Sequence, residues 1–424
     1  MKKIVDFTSV SASGSSFDFV RYEFVDLQSI IDDLPILLDQ KKLLPRIIYH
    51  KLYNNRFSHI LKNYEARIRD IHDEGILEVL YAHYAFIISG TFKELQELPD
   101  IDLNKPINIP TNLSDPIAVI SSKLSVPPIL TYYSHLILNW DHKKDRPIRR
   151  FSIKPKASEK NESVNDFESG FMEVHIKIEK RSVQIINILG KIIEAFKIGE
   201  IFKYEIIAEN LNLLSHELDR ILDLLKTMYN KCLPSEYAKY IRIFLGSYKK
   251  MQISGKDTID LPGPSAAQSP TLLLFNYIFK ANQSPNESLS LVLKSAADYI
   301  PNDRMEVIVF IAGQFNAHFP LIKINQKSFQ AYIELYTNYL QFLVEHFKLV
   351  FDYIIGPCQQ MRNRSASSQE EGTGTSNPQD LSARVKLIYQ DILNLCDEYN
   401  KIYHDQYSPK KLNNLYKVIC QSPY

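Results

Sequence analysis

The chain has 424 residues, 45% of them hydrophobic, with 50 Lys and Arg against 49 Asp and Glu. That length and apolar share can bury a substantial core in two or three domains, while the near-neutral balance provides no global field to draw the chain onto nucleic acid or an anionic membrane, so neither is expected as a partner. The four cysteines, Cys232, Cys358, Cys396 and Cys420, form no C-x-x-C pair and no ligand spacing with histidine, which argues against a zinc finger or a disulfide framework and fits a reducing cytoplasm.

Only 13 glycines occur, and apolar residues recur at three- and four-residue steps through segments rich in Leu, Ile, Lys, Glu and Tyr, so an all-α fold is predicted. The opening "MKKIVDFTSVSASGSS" lacks an apolar run long enough for a secretory signal. Short helical patterns such as "FVDLQSIIDDLPILLDQ" and "GILEVLYAHYAFIISGTFKEL" make a small N-terminal helical domain, residues 1–112, and the Pro- and Asn-rich "DLNKPINIPTNLSDP" reads as a linker. Residues 113–424 form a larger helical domain. Within it a helix over 114–124 stops at Pro127-Pro128, which seats a second helix, "PILTYYSHLILNW". The run "DHKKDRPIRRFSIKPKASEK" reads as a solvated basic loop. Leu211, Leu214, Leu218, Ile221, Leu225 and Met228 mark the buried face of a core helix. Further helices are predicted over 265–281, 287–299, 303–314 and 328–355, the last stopped by Gly356-Pro357. The most apolar stretch, "YLQFLVEHFKLVFDYII", carries Glu345, His346, Lys348 and Asp352 and is too polar to span a membrane. The polar tract 359–379 reads as a mobile loop before two final helices, over 380–405 and 409–420.

No Walker loop, G-x-S-x-G, H-E-x-x-H or dinucleotide fingerprint occurs. Tyr132, His135 and Leu136 lie at i, i+3 and i+4 and share one helix face, as do Phe171 and His175. Read from the residues alone, the aromatics are core packing and the histidines are satisfied structural groups.

Three stretches, "LSVPPILTYYSHLILNW" (124–140), "YIRIFLGSYK" (240–249) and "GPSAAQSP" (263–270), occur in the order found in the indoleamine 2,3-dioxygenase family, which the chain resembles. Weaker matches are "GFMEVHIKIE", "DYIP", "YIIGP" and "EGTGTS". The resemblance implies a small helical domain capping a larger one that sandwiches haem b, and insertion of both atoms of O2 across the indole C2–C3 bond of tryptophan. It implies that Tyr132, His135, Leu136, Phe171, Met172, His175, Leu245 and the Ser265-Ala266 backbone line the distal, indole-binding side. Arg242 matches the arginine that holds the substrate carboxylate, a planar donor fork suited to that group; an ordinary buried salt bridge is the other reading. Ser265 matches a haem-propionate contact, although Pro264 stands where the family usually has a second glycine, and Thr373 falls in the substrate-closing loop.

Two departures stand out. Three residues past the proline of "YIP" the family places the histidine that ligates iron, and here the position is Arg304. A guanidinium remains protonated and presents only donors, so it cannot take that role. Asn276 stands where the family has an aspartate near that ligand. His318 and His346 are too distant along the chain for a small register slip to substitute, whereas His175 replaces a residue facing the iron and becomes a candidate ligand from the opposite side. Three readings are open: a divergent member binding tryptophan or another indolic ligand in a haem-type pocket, with oxygen insertion compromised; an active haem dioxygenase ligated through His175; or a non-catalytic helical interaction module. A cytoplasmic monomer is expected in each.

Overall fold

The glycine-poor, periodic sequence folds almost wholly into helices. The computed structural model describes residues 6–8, 10–52, 64–141, 145–152, 166–198, 200–255, 258–279, 295–357 and 378–421. In chain order the N-terminal helices are α1 (Gly14–Glu23), α2 (Val25–Asp39), α3 (Leu43–Leu52) and α4 (Glu74–Gln96), followed by α5 (Thr111–Leu124). Ser13 opens α1 with a reciprocal bond to Ser16, and the Asp73 side chain caps α4 at Ile76 N, 2.9 Å away. α4 is apolar almost all round because it is enclosed: α1, α2 and α3 pack on it, as do α5, the turn Tyr133–Ile137 and the turn Arg242–Phe244.

The larger body contains α6 (Phe167–Lys180), α7 (Ser182–Ala195) and α8 (Glu200–Lys226). Leu211, Leu214, Leu218, Ile221 and Leu225 are all buried along α8, and Met228 comes in the next short turn, as their spacing predicts. α6, α7 and α11 (Gln326–Val350) pack on this helix. α9 (Pro270–Ile278) packs on α10 (Asn302–Ile322), and α12 (Pro378–Tyr403) and α13 (Leu412–Gln421) lie against α11. Strand content is small. β1 (Ile107–Asn108) pairs parallel with β4 (Tyr248–Gln252), β4 pairs antiparallel with β5 (Thr258–Leu261), and β2 (Trp140–Asp141) pairs with β3 (Arg146–Pro147).

Several local expectations are corrected. The run read as a linker holds β1 and the first turns of α5, with Pro116 inside the helix. The helix expected over 128–140 is a π-turn, Tyr133–Ile137, which gives way to β2. The basic loop is not solvated throughout: Arg150 is buried, its Nε donating to Asn139 Oδ1 at 3.1 Å and its Nη1 to Ile31 O at 3.2 Å. α10 runs on to Ile322, well past 314. Two other helices, α4 and α10, are long and apolar enough to cross a membrane by length and composition, although the relevant window of α4 is 94% buried in the protein. The tract 359–377, with Thr373, lies outside the described residues, as does most of the helix expected over 287–299.

Candidate functional site

One cavity, of about 170 Å³ and partly open at its mouth, lies within the helical body. One wall is built by Tyr132, His135 and Leu136 beside the π-turn, by Phe171 and His175 on α6, and by Leu245. The loop Pro264, Ser265, Ala266 and Ala267 leads from there to Leu272 and Asn276 on α9. The remaining wall carries Tyr339, Leu343, His346 and Phe347 from α11, and Arg384 and Val385 from α12. The structure therefore brings together eight of the residues singled out from the sequence: Tyr132, His135, Leu136, Phe171, His175, Leu245, Ser265 and Ala266.

Buried hydrogen bonds fix this geometry. Tyr132 donates its hydroxyl to Glu179 Oε1 at 2.9 Å and its N–H to Gln268 Oε1 at 2.9 Å. Gln268 Nε2 in turn donates to Gly263 O at 3.0 Å. Gly263 must lack a Cβ, which would lie 2.3 Å from Gly246 O and 2.6 Å from Leu245 O; this close backbone approach seats the "GPSA" loop against Leu245.

The histidines are unlike one another. His175 Nδ1 lies 2.9 Å from Phe171 O, and since a carbonyl can only accept, Nδ1 carries the proton and Nε2 keeps its lone pair. Its ring is 4.5 Å from that of Phe171. His135 is enclosed by Phe86, Phe151 and Phe171, with no partner for Nε2, and burial depresses its pKa to about 3. Burial lowers His346 to about 4, assisted by Arg384 and His175. The rings of His175 and His346 sit deep in the protein yet keep some accessible surface, and the space they face is the cavity.

A polar cluster closes one end. Arg384 Nη2 donates to Asn276 Oδ1 and, at 2.6 Å, to Tyr339 Oη, and Tyr339 also donates to Asn276 Oδ1. Sequence reasoning does not find Tyr339, His346 and Arg384 as site residues. They lie on long amphipathic helices, where spacing marks a buried face without saying which buried residue meets a cavity.

Other expected residues fall elsewhere. Met172 is buried against Asn139, whose Nδ2 lies 3.3 Å from the sulfur, and Arg242 sits half-buried in the short turn before Leu245; neither lines the cavity. Arg304 is also off the cavity wall. Its guanidinium carbon lies 4.6 Å from the centre of the Tyr133 ring, and it attracts Glu78, a buried carboxylate that accepts bonds from Tyr133 Oη and from Ala12 N at 2.8 Å. The expectation that Arg304 faces the pocket is thus corrected: it joins the first turn of α10 to α4 and to the segment before α1. Arg304→His is expected to lose about 2 kcal/mol by urea unfolding, through the forfeited cation–π contact and the weakened pairing with Glu78, and to leave haem spectra unchanged.

The depressed pKa of His135 has a definite sign. Its folded value, about 3, is below the ordinary 6.5, so the unfolded chain takes up this proton first and stability falls as pH drops below 6.5. His135→Phe, which packs in the same aromatic cluster and has no proton to gain, should flatten the stability slope between pH 6 and 4 by up to about 1.4 kcal/mol per unit in urea melts.

Comparison with known proteins gives the family of the chain. The indoleamine 2,3-dioxygenase family model matches residues 27–387. The indoleamine 2,3-dioxygenase 1 of Mus musculus is 22% identical over 304 residues, covering 68% of this chain and 73% of its own. That of Rattus norvegicus is 23% identical over 292 residues, covering 66% and 69%. With a family match spanning most of its length and an all-α body enclosing a cavity, the chain belongs to the indoleamine 2,3-dioxygenase family.

Proposed function

We propose that this protein binds an indolic ligand, tryptophan in the first instance, beside a haem in the cavity between α6 and α11. The observation that carries the reading is the convergence of Tyr132, Phe171, His175, Leu245 and Ser265 from well-separated parts of the chain on one space. A wholly filled pocket would have favoured a purely structural module; a cavity of about 170 Å³, lined mostly by aromatic and apolar side chains with a few convergent polar groups, has the character of a small-molecule site.

The residues fit the macrocycle that the family implies. The walls are largely apolar, Ser265, Ala266 and Ala267 are small enough for a flat ring to approach, and Arg384 gives one end a cation to balance carboxylates. The imidazoles on the wall, His175 and His346, would supply the nitrogen donors that a haem iron takes from protein. Haem, when bound, supplies the iron on which O2 is activated. The chain's own part is to exclude water, stack the indole against Phe171 and hold Tyr132 through Glu179. Position 304 lies off the cavity wall, so the imidazoles that could reach an iron in the cavity are those lining it, His175 and His346 among them. His175 is the first candidate, because its Nδ1 is committed to Phe171 O and its Nε2 is available.

The test is to purify the chain with hemin supplied, record its absorption spectrum, titrate with L-tryptophan and assay N-formylkynurenine. A haem spectrum perturbed by tryptophan is expected. Phe171→Ala should weaken that response about tenfold, as the loss of one aromatic contact of roughly 1.4 kcal/mol implies. A folded protein that takes up no haem and shows no thermal shift with tryptophan would refute the proposal.

A further inference from the structure

α4 and α10 are alike in length and apolar composition, yet the apolar window of α4 is 94% buried and that of α10 only 28%. One side of α10 carries Arg304, Ile308, Ile311, Ala312, Phe315 and Ile322 into the protein. Steps of three and four residues place Glu306, Val309, Phe310, Gly313, Ala317 and Pro320 on the other side, all of them exposed, with Phe310 63% and Val309 51% accessible. The elements packed on α10, namely α7, α9 and α11, leave this stripe open. Large apolar side chains gathered in one exposed stripe mark an interaction surface, whereas scattered ones do not.

We infer that this stripe is the seat of a two-fold dimer, α10 of one copy lying antiparallel on α10 of a second copy with Gly313 at the crossing. Gly313 lies ten residues after Asp303 and ten before Lys323. An antiparallel pair centred there sets the acidic end of each helix, Asp303 and Glu306, beside the Lys323 end of the other, so the charges complement one another twice and the helix dipoles run in opposite senses. A parallel pair would oppose acid to acid. Lys323 also pairs with Glu398 at 2.6 Å and stays partly accessible. Nothing lies within 4 Å of a Cβ built on Gly313, so the two backbones have room to approach closely there. Phe310 of each copy then lies over Gly313 and Ala317 of the other. A bilayer suits this face less well: the inner side of α10 is committed to the protein, so the helix cannot span, and the acids at its head oppose the anionic surface to which interfacial helices are drawn. The inference is independent of the cavity reading, and either can fail alone.

The test measures the full chain by sedimentation equilibrium over a concentration series, with circular dichroism to establish that each variant folds. The parent should be a dimer. Phe310→Ser removes two large contacts per dimer and should weaken association by about a hundredfold or more. Gly313→Leu, which has room in one copy but not between two, should do the same while leaving helix content intact. Under mild oxidation Gly313→Cys should form more cross-linked dimer than the parent does. Asn302→Cys should not, since an antiparallel pair carries the two copies of that residue to opposite ends. Cross-linking through Asn302→Cys in place of Gly313→Cys overturns the antiparallel arrangement. A parent monomeric at its highest soluble concentration overturns the inference, as does a dimer that both Phe310→Ser and Gly313→Leu leave intact. A monomer that floats with lipid vesicles and loses this with Phe310→Ser also overturns it, assigning the stripe to a membrane.

Discussion

Glu179→Ala is expected to lower the stability of this protein by about 3–5 kcal/mol in urea unfolding, a large share of the total for any domain. Glu179 is fully buried at the last turn of α6 and accepts four bonds: from Tyr132 Oη, from Ser269 Oγ, and from Thr271 Oγ1 at 2.7 Å and Thr271 N at 3.3 Å. Alanine would strand all of these donors in a space too apolar to rehydrate them. Burial raises the carboxyl pKa against the pull of these bonds, so the folded chain gains its proton before an unfolded glutamate does. Stability therefore rises, through this group, as pH falls through its folded pKa toward the ordinary 4.5. Glu179→Gln should be milder than alanine, with the gap between parent and Gln widening in mild acid, where the parent gains stability and Gln has no proton to take up. The same substitutions release Tyr132 from its anchor, so tryptophan response should weaken alongside stability.

The opposite end of α6 supports an equal expectation. Glu168 is buried in the first turn and accepts from Arg150 N at 2.7 Å, Phe151 N at 3.0 Å, Ser152 N at 2.8 Å and Ser152 Oγ at 2.6 Å. One carboxylate thus satisfies three consecutive backbone donors of an irregular segment. The bonds also set Phe151 against Phe244, with ring centres 4.6 Å apart and planes within 8° of parallel. Glu168→Ala should cost about 3–5 kcal/mol, and hydrogen exchange should show Arg150–Ser152 losing protection before α6 itself does. Unaltered exchange at those amides would show that the segment is held by other contacts. Phe171 and His175 lie between the two glutamates, so both substitutions act on the cavity through one helix pinned at each end.

How much of this is legible in the sequence depends on the range over which each interaction acts. The helices are readable because their signals are local: the buried stripe on α8 repeats within a few turns, and Asn325 and Asp73 cap the helices they precede. The short motifs around Tyr132, Phe171, Leu245 and Ser265 lead to one cavity because each is a continuous segment. Glu168 and Glu179 give no such signal, since a single glutamate in an amphipathic helix looks like part of its wet face until the distant partner, 92 residues away for Thr271, is known. Counting residues from position 304 discards His346, because a one-dimensional argument cannot see two helices converging on one space. Arg304 misleads for a related reason: it lies in the first turn of α10, where the angle at which the chain enters the helix decides the direction of a side chain, and register alone does not contain that angle.

Three five-residue π-turns, Tyr133–Ile137, Tyr237–Ile241 and Phe351–Ile355, each put at least one side chain on the cavity wall. A π-turn accommodates one residue more than the α-turn it interrupts, and such wide turns are found preferentially at functional sites. Removing one residue from any of them would shift the side chains within that turn by about 100° around its axis. The wall is therefore sensitive to length in a way that the surrounding helices are not: a deletion that keeps every chemical group could still swing an imidazole or a tyrosine out of reach of its target.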